Sequence, residues 1–375
     1  MHPNPTVFFV VPDSFGDAER VSGGNVYDQR IRDGLRADGW AVRMMVVADG
    51  GRGRFAGTLC QLPDAALVLV DGLLVSCEPD ALVRHGSRLR PVVLAHMATA
   101  RVTERVAFRV ADRVIATSDW TRDELIAQDA ADPHRIVVAH PGADPAQATT
   151  ASASGGRLLC VAAVAPHKGQ DLLVRALADF VDLDHWTCTF VGSLQVVPDF
   201  VAELTAAISS AGLTDRIAFT GPLAPRALDE VYARADLVIT PSRRESYGMV
   251  VAEALARGIP VLASATGGIP EAIAGSEAGM IVPPEEPRAI ATVLRQWWAS
   301  SARRGELKEA AMKAREAVRP WSTTTAIVAS ALAEAAGFEA APARPAPASR
   351  ALPDDVLSAE GAEAHGARAG SARRS

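Results

Sequence analysis

The chain has 375 residues, enough for two domains of ordinary size with some residues left over. Hydrophobic residues make up 49% and charged residues 22%, which excludes a mainly disordered chain. The net charge of −6 argues against a basic nucleic-acid-binding protein. Only three residues are lysines, so each of them is of interest: Lys168, Lys308 and Lys313.

The cysteines and the amino terminus indicate the compartment. Cys60, Cys77, Cys160 and Cys188 have neither CxxC nor zinc-site spacing, so we expect buried thiols of a reducing compartment. The amino terminus lacks the basic stretch and long apolar run of a signal peptide. No apolar run reaches the ~18 residues that span a membrane. The sequence therefore predicts a cytoplasmic protein with at most peripheral membrane contact.

The first part of the chain alternates short apolar runs with helical stretches. Continuous apolarity is typical of strands in a parallel sheet that is covered on both faces. Helices are predicted over 26–38 and 121–128. The predicted strands are 7–11, 42–47, 67–70, 92–95, 113–117 and 136–139.

The pattern restarts after a turn-rich stretch of small residues, 144–156, which is typical of a linker. Repeated strand–helix units on both sides of the linker predict two doubly wound α/β domains facing a cleft. Helices are predicted over 170–180, 200–212, 227–234, 249–257 and 297–336. The predicted strands are 158–161, 188–191, 217–220, 237–240, 261–263 and 280–282.

The segment 241–271 carries the strongest local pattern, a polar loop between a strand and a helix. The amino end of such a helix suits an anion such as a phosphate. Glu253, one turn inside the helix, is a candidate for binding ribose hydroxyls, as acidic residues do in dinucleotide folds. The alternative is a helical ion pair with Arg257. Glu245 in the loop is either functional or a surface partner of Arg243 or Arg244.

Three further features are predicted at the strand ends that face the cleft. Lys168, beside a glycine and just before a helix, suits a diphosphate, with an exposed loop lysine as the alternative. Gly23 and Gly24 allow close backbone approach to a ligand, or form a plain turn. His96 ends a strand and is either structural or catalytic.

Together these residues resemble the retaining glycosyltransferases of family 4, which have the GT-B fold of two Rossmann-like domains. The resemblance is sharpest in LLCVAAVAPHKGQDLLVRAL, RIAFTGPL, ADLVITPSRRESYGMVVAEALARGIPVLAS and GGIPE, where Glu245 and Glu253 form E-x7-E. It implies an acceptor-side domain over 1–146, a linker over 147–156 and a donor domain over 157–320. A helix over 321–337 would cross back to the first domain. The composition of 338–375 predicts a disordered tail.

The resemblance also implies roles for individual residues. Catalytic residues would be Glu245 near the donor sugar, His96 on its acceptor side, and Lys168 at the leaving diphosphate. Glu253 would hold the ribose of a UDP- or GDP-sugar, and Gly23 and Gly24 would close over the diphosphate. The resemblance implies transfer to a hydroxyl of a small molecule, lipid or glycan, with no cofactor and no metal. The other donor-binding candidates are Arg243, Arg244, Ser246, Tyr247, Gly248, Met249 and Val250.

One position departs from the family. Such enzymes usually carry Gly-Arg shortly before Lys-Gly, and here Ala162 and Ala163 stand instead. A charge-assisted phosphate contact is worth about 1.5–3 kcal/mol, so either Arg243 or Arg244 substitutes, or the diphosphate depends more on Lys168 and the helix end. The departure keeps open a catalytically weak nucleotide-sugar-binding homologue. A sugar-nucleotide 2-epimerase is a second alternative, whereas the absence of G-x-G-x-x-G argues against a nicotinamide-dependent oxidoreductase.

Overall fold

The computed structural model of the protein describes residues 6–48, 53–97 and 102–337. The strands in these ranges form two six-stranded sheets, and neighbouring strands pair in parallel. Helices connect successive strands, so each sheet is built from β–α–β units. The prediction of two doubly wound α/β sheets is confirmed.

The first sheet has the order β2-β1-β3-β4-β5-β6. Its strands are β1 (Thr6–Pro12), β2 (Ala41–Val47), β3 (Leu67–Asp71), β4 (Arg90–Ala95), β5 (Arg113–Ala116) and β6 (Ile136–Val138). Its helices are α1 (Gly23–Ala37), α2 (Arg54–Cys60), α3 (Gly72–Cys77), α4 (Pro79–His85), α5 (Val102–Arg109) and α6 (Asp119–Ala127), with a 3-10 turn at Pro133–Arg135. All six predicted strands are present. Helix α1 begins at Gly23 rather than at 26, because the Ser22 hydroxyl caps it by accepting a bond from the Asn25 N–H.

The second sheet has the order β12-β11-β10-β7-β8-β9. Its strands are β7 (Arg157–Val161), β8 (Thr187–Val191), β9 (Ile217–Gly221), β10 (Leu237–Thr240), β11 (Val261–Ser264) and β12 (Gly279–Val282). Its helices are α7 (Gln170–Leu177), α8 (Pro198–Ser210), α9 (Pro225–Arg234), α10 (Met249–Ala256) and α11 (Ile269–Ile273), with 3-10 turns at Pro166–Lys168 and Ala178–Phe180. The six strands predicted for this half are also present.

The predicted helical stretch 297–336 belongs to three helices: α12 (Pro287–Ala299), α13 (Ser301–Glu316) and α14 (Trp321–Ala336). Ser300 separates the first two because its hydroxyl caps α13 through the Arg303 N–H. Pro320 stands immediately before α14, at a position that proline favours because it has no N–H to donate. Apart from these two breaks, the predicted stretch is helical.

Helix α14 packs on the first sheet, against α1. Val328 and Leu332 of α14 are buried in one core with Phe9 of β1. A glycine is needed where the two helices touch, because a Cβ on Gly34 would lie 2.2 Å from the Thr325 hydroxyl oxygen. The last helix therefore covers a face of the sheet that begins the chain. The predicted tail, 338–375, lies outside the described residues.

The cysteines differ from the prediction at two positions. Cys160 and Cys188 are buried, as predicted, whereas Cys60 and Cys77 are exposed. Each exposed cysteine is the last residue of a short surface helix, a position that the spacing of cysteines along the sequence does not indicate. In the part of the chain that the structure describes, no helix is long and apolar enough to cross a membrane.

The strand orders place a ligand-binding edge in each sheet. Successive strands are added to one side of β1 and then to the other, so the order of the first sheet reverses between β1 and β3 while the strands stay parallel. In the second sheet the same reversal lies between β7 and β10. Ligands of doubly wound sheets bind outside the carboxyl ends of the strands at such a switch point. The loops that follow these four strands are therefore the first place to look for a site.

Candidate active site

Two loops meet at the switch point of the second sheet. One follows β7 and contains Lys168, and the other follows β10 and spans 241–248. They are tied together by the Arg243 N–H, which donates to the His167 carbonyl oxygen over 2.8 Å. A Cβ on Gly169, which has a φ of 71°, would lie 2.0 Å from the Pro241 carbonyl oxygen. The two predicted donor-binding segments are therefore packed side by side.

Lys168 and Glu245 form an ion pair within these loops. The Lys168 Nζ donates to Glu245 Oε2 over 2.7 Å, and the two side chains are only 21% and 16% exposed. The alternative in which Glu245 pairs with Arg243 or Arg244 is wrong, because its carboxylate turns to the lysine across the switch point. The pair places one cation and one carboxylate at the same edge of the sheet.

The loop 241–248 is held against a second glycine-containing loop before it enters α10. A Cβ on Gly267 would lie 1.6 Å from the Glu245 carbonyl oxygen, and one on Gly268 would lie 2.3 Å from that of Ser246. Gly248 immediately precedes the helix with a φ of 92°, which favours glycine. Among the described residues no side chain caps α10. The predicted residues Ser246, Tyr247, Gly248, Met249 and Val250 therefore form the turn and first residues of an uncapped helix.

Glu253 is held by a tyrosine on the neighbouring helix α9. The Tyr232 hydroxyl donates to Glu253 Oε2 over 2.8 Å. Burial raises the pKa of Glu253, while the Tyr232 hydroxyl and Arg257 lower it. Arg257 donates to the Glu253 carbonyl oxygen over 3.0 Å, pairs with Asp229, and lies 4.3 Å from the centre of the Tyr232 ring. Arg257 therefore contacts the Glu253 main chain and does not form the alternative helical ion pair with its carboxylate. The Tyr232 hydroxyl orients that carboxylate instead.

The two arginines considered as substitutes for the family arginine occupy different environments. Both outer nitrogens of Arg243 donate to the Asp171 carboxylate over 2.7 Å, and one of them also donates to the Pro166 carbonyl oxygen over 2.6 Å. Arg243 is thus committed to bracing the loop after β7. Arg244 is exposed, with its N–H 3.3 Å from the His167 carbonyl oxygen. Ala163 is held by its carbonyl oxygen, which accepts from the Gln170 side chain over 3.0 Å.

The first sheet contributes Gly23, Gly24 and His96 to the same region. A Cβ on Gly23 would lie 3.6 Å from the sulfur of Met249 in α10. A Cβ on Gly24 would lie 3.3 Å from the His96 ring. The structure therefore brings the two glycines between His96 of one sheet and the first residue of α10 in the other.

Glu271, from the sequence GGIPE, contacts the first sheet's helix α6. Its two carboxylate oxygens accept from the Asp119 and Trp120 N–H groups over 2.7 and 2.6 Å. His140 lies 3.1 Å from the same carboxylate. Sequence analysis had not singled out Glu271, although its position in a quoted motif was an available signal. Asp28, which lies 2.8 Å from His96, was also missed, and a lone acidic residue in a helix gives no such signal.

Two groups of described residues bring carboxylates and a histidine together: Asp28, Asp71 and His96, and Asp119, His140 and Glu271. In each group every side chain makes at least one hydrogen bond, to another member of the group or to a helix N–H, although Asp28 Oδ2 has no partner. We therefore interpret both as hydrogen-bonded clusters and assign no metal ligands.

Comparison with known sequences gives relatives that include D-inositol 3-phosphate glycosyltransferases. Residues 149–314 match the sequence model of the family described as glycosyl transferases group 1. The chain is 34% identical over 232 residues to the D-inositol 3-phosphate glycosyltransferase of Kineococcus radiotolerans, covering 54% of this chain and 53% of that protein. For the Rhodococcus opacus enzyme of the same name, the identity is 34% over 224 residues, covering 55% and 50%. The chain thus spans about half the length of the curated relatives it matches.

Comparison with solved structures concerns the fold. The Anabaena protein HepE in complex with UDP-glucose superposes with a TM-score of 0.72 at 20% identity, covering 88% of this chain and 99% of that one. Sucrose-phosphate synthase from Thermosynechococcus elongatus gives 0.70 at 19% identity, covering 86% and 96%. The GT-B fold is confirmed. These sequence relatives are named as glycosyltransferases and do not favour the epimerase.

Proposed function

We propose that the chain is a retaining family 4 glycosyltransferase that transfers a sugar from a nucleoside-diphosphate sugar to an acceptor hydroxyl without a metal ion. The observation that carries the proposal is the meeting of Lys168, Glu245 and the uncapped amino end of α10 at one switch point. The match of residues 149–314 to group 1 glycosyltransferases supports the same assignment for the donor half.

The donor diphosphate is proposed to bind at the start of α10. Main-chain N–H groups and the positive end of the helix dipole stabilise an anion there. Lys168 supplies a full positive charge at the diphosphate. Arg244, which is exposed in the loop before α10, is the arginine proposed as a second contact. Glu253, oriented by Tyr232, accepts hydrogen bonds from the two ribose hydroxyls of a UDP- or GDP-sugar. Gly23 and Gly24 cover the diphosphate from the first sheet, where they lie beside Met249 and His96.

Departure of the nucleoside diphosphate leaves negative charge on its terminal oxygens and positive charge on the sugar. As that charge develops, the Lys168 ammonium would leave Glu245 and pair with the diphosphate. This change of partner stabilises the transition state more than it stabilises the bound donor. Glu245 then lies near the sugar as an anion beside the developing oxocarbenium ion. The acceptor hydroxyl attacks the face that the nucleotide leaves and gives its proton to the departing diphosphate oxygen. The bond from the sugar to the diphosphate breaks as the new glycosidic bond forms on the same face, so the anomeric configuration is retained. No step requires a cofactor.

The acceptor is proposed to bind against the first sheet, with His96 contacting the donor sugar from that side. The relatives' names specify D-inositol 3-phosphate, but the matched family model covers only residues 149–314. We therefore propose a hydroxyl-bearing small molecule, lipid or glycan as the acceptor class, and we expect no nucleic-acid partner.

The first experiment is a thermal-shift screen of the whole chain against nucleotides and nucleotide sugars. A nucleotide that binds the native state raises the melting temperature, by an amount equivalent to about 2.7 kcal/mol at one hundred times its Kd. UDP or GDP is expected to give the largest increase. The best nucleotide sugar then serves as donor in a turnover assay. Product formation in excess EDTA, with the anomeric configuration of the donor, is the expected result.

Site variants test the assignment. Lys168→Met and Glu253→Gln should each reduce donor turnover about 10- to 150-fold, the equivalent of about 1.5–3 kcal/mol for a charge-assisted contact. The exposed Lys313→Met and Glu309→Gln on α13 are matched controls and should retain full turnover. Undiminished turnover in both site variants contradicts the assignment. Epimerised nucleotide sugar formed without acceptor contradicts the proposed reaction.

A further inference from the structure

A buried carboxylate lies directly behind His96. Asp28 of α1 is fully buried, and its Oδ1 lies 2.8 Å from the His96 Nε2. Its second oxygen, Oδ2, is buried and has no hydrogen-bond partner. The carboxylate of Asp71, at the end of β3, is buried beside it and accepts the Leu73 N–H over 2.7 Å. Two acidic side chains thus share one enclosed space with one imidazole.

The other neighbours of the His96 ring are Tyr27 and Gly24 of α1. The Tyr27 ring packs edge-on against it with a centroid distance of 5.4 Å, which fixes the ring plane. A Cβ on Gly24 would meet the ring, and one on the adjacent Gly23 would reach Met249, the first residue of α10. The His96 side chain keeps 18% exposure, whereas Asp28 has none. Asp28 therefore reaches bound donor only through His96.

We propose that Asp28 is a positioning residue that, with Asp71, holds His96 as an imidazolium facing the donor from the first sheet. This rests on the proposed glycosyltransferase function, and it assigns to the site a second cation besides Lys168. The charge would lie across Gly23 and Gly24, the first two residues of α1, from the start of α10. It offsets the absence of the family's arginine, where Ala163 stands and Arg243 is bound to Asp171.

The charge state follows from the groups around the ring. Asp28 of α1 and Asp71 of β3 are the acidic groups that act on His96, and Met249 presents no charge from α10. Burial and the neighbouring Asp71 raise the pKa of Asp28 itself to about 7, although His96 lowers it. Burial alone would lower the pKa of His96, but the two carboxylates raise it to about 9. Burial raises the pKa of the Tyr27 phenol, which stays neutral. The imidazolium therefore persists through neutral pH and is lost as the pH rises through about 9.

Nuclear magnetic resonance of the ligand-free chain tests the charge without requiring activity. The chain has eight histidines, and the signal absent from His96→Gln identifies His96 in histidine-labelled protein. The wild-type signal should titrate near pH 9. In Asp28→Asn it should titrate at or below the ordinary value of 6.5, and in Asp71→Asn it should shift less. Asp33→Asn, on the exposed face of the same helix, is the matched control and should leave the titration unchanged.

A wild-type His96 that titrates near 6.5 overturns the proposal, whether or not the variants fold. So does an unchanged titration in folded Asp28→Asn. A stoichiometric metal ion in purified wild-type protein that is lost in Asp28→Asn also overturns it, because the histidine would then be a ligand and not a cation. Failure to find any glycosyl transfer would contradict the proposed function alone, because the titrations of His96 are measured without substrate.

Turnover then links the charge to the reaction. At donor concentrations below KM, wild-type turnover should fall as the pH rises through about 9, whereas that of Asp28→Asn should fall at a pH at or below 6.5. At pH 8 the imidazolium fraction, and with it the turnover ratio, should then differ by roughly thirtyfold or more, and at pH 6 the ratio should be smaller. A merely structural role for Asp28 predicts a loss that is equal at both pH values, which would refute the inference.

Discussion

Removal of the Glu271 carboxylate should weaken the contact between the two sheets measurably. Glu271 of α11 accepts the first two N–H groups of α6 over 2.7 and 2.6 Å and lies 3.1 Å from His140. The carboxylate thus serves as an N-terminal cap supplied by another part of the chain. In Glu271→Ala both N–H groups lose their acceptor, and the charge that opposes the helix dipole disappears.

The magnitude follows from these bonds. A hydrogen bond to a charged group contributes about 1.5–3 kcal/mol, and a carboxylate at a helix amino end about 0.3–1 kcal/mol. The Glu271 side chain is 24% exposed, so solvent reduces both contributions. We expect Glu271→Ala to lower the free energy of unfolding by about 2–3 kcal/mol. Glu271→Gln keeps one acceptor oxygen and should lose about 1 kcal/mol.

Urea denaturation measures this loss. The midpoint should fall in the order wild type, Glu271→Gln, Glu271→Ala, with an unchanged slope, because the surface exposed on unfolding is the same. Glu277→Ala removes an exposed glutamate in the turn that follows α11 and is the matched control. A Glu271→Ala midpoint equal to that of the control would refute the idea that this carboxylate stabilises the contact between α11 and α6.

Three further outcomes are expected. Gly34→Ala should destabilise the chain by about 1–3 kcal/mol because its Cβ meets the Thr325 hydroxyl, whereas Gly57→Ala, with open space around it, should not; equal urea midpoints contradict this. Tyr232→Phe removes the donor to Glu253 and should weaken UDP binding about 2- to 12-fold by calorimetry, and unchanged affinity argues against a ribose role for Glu253. Burial raises the pKa of Asp236, but bonds from Arg157 and Ser152 lower it below 3.8 overall, so Asp236→Asn should cost about 3–5 kcal/mol at neutral pH. That difference should shrink as the pH falls below 3.8, and a pH-independent difference excludes the ionised carboxylate as its source.

The strands could be predicted because they are short apolar runs, and several of them are buried on both faces of their sheet. Runs such as β3 and β10 are buried at every position, so their composition alone distinguishes them from surface segments. The strand order could not be predicted in the same way, because it depends on which distant strands pair. Yet it is the order that makes β7 and β10 neighbours and so brings Lys168 against Glu245.

The missed residues share a physical cause. Asp28 is 68 residues from His96, and Glu271 is about 150 residues from the α6 N–H groups that it caps. In the sequence each is an isolated acidic residue in a helix, which is usually solvated. Their importance arises from burial and from a partner that only the folded chain supplies. The residues at the start of α10 are different, because they are contiguous in the sequence and act through main-chain N–H groups. A local sequence pattern is therefore enough to predict them.

The two cations of the proposed site are paired with carboxylates in different ways, and this difference has a consequence. Glu245 is itself at the cleft, so an incoming diphosphate competes with it for Lys168, and breaking that pair offsets part of the binding energy until charge develops on the leaving group. Asp28 is behind His96 and has no exposure, so a ligand cannot displace it. The imidazolium is therefore available before the donor arrives, whereas the donor diphosphate must first release Lys168 from Glu245. Ground-state binding should thus depend more on His96, and the rate of the chemical step more on Lys168.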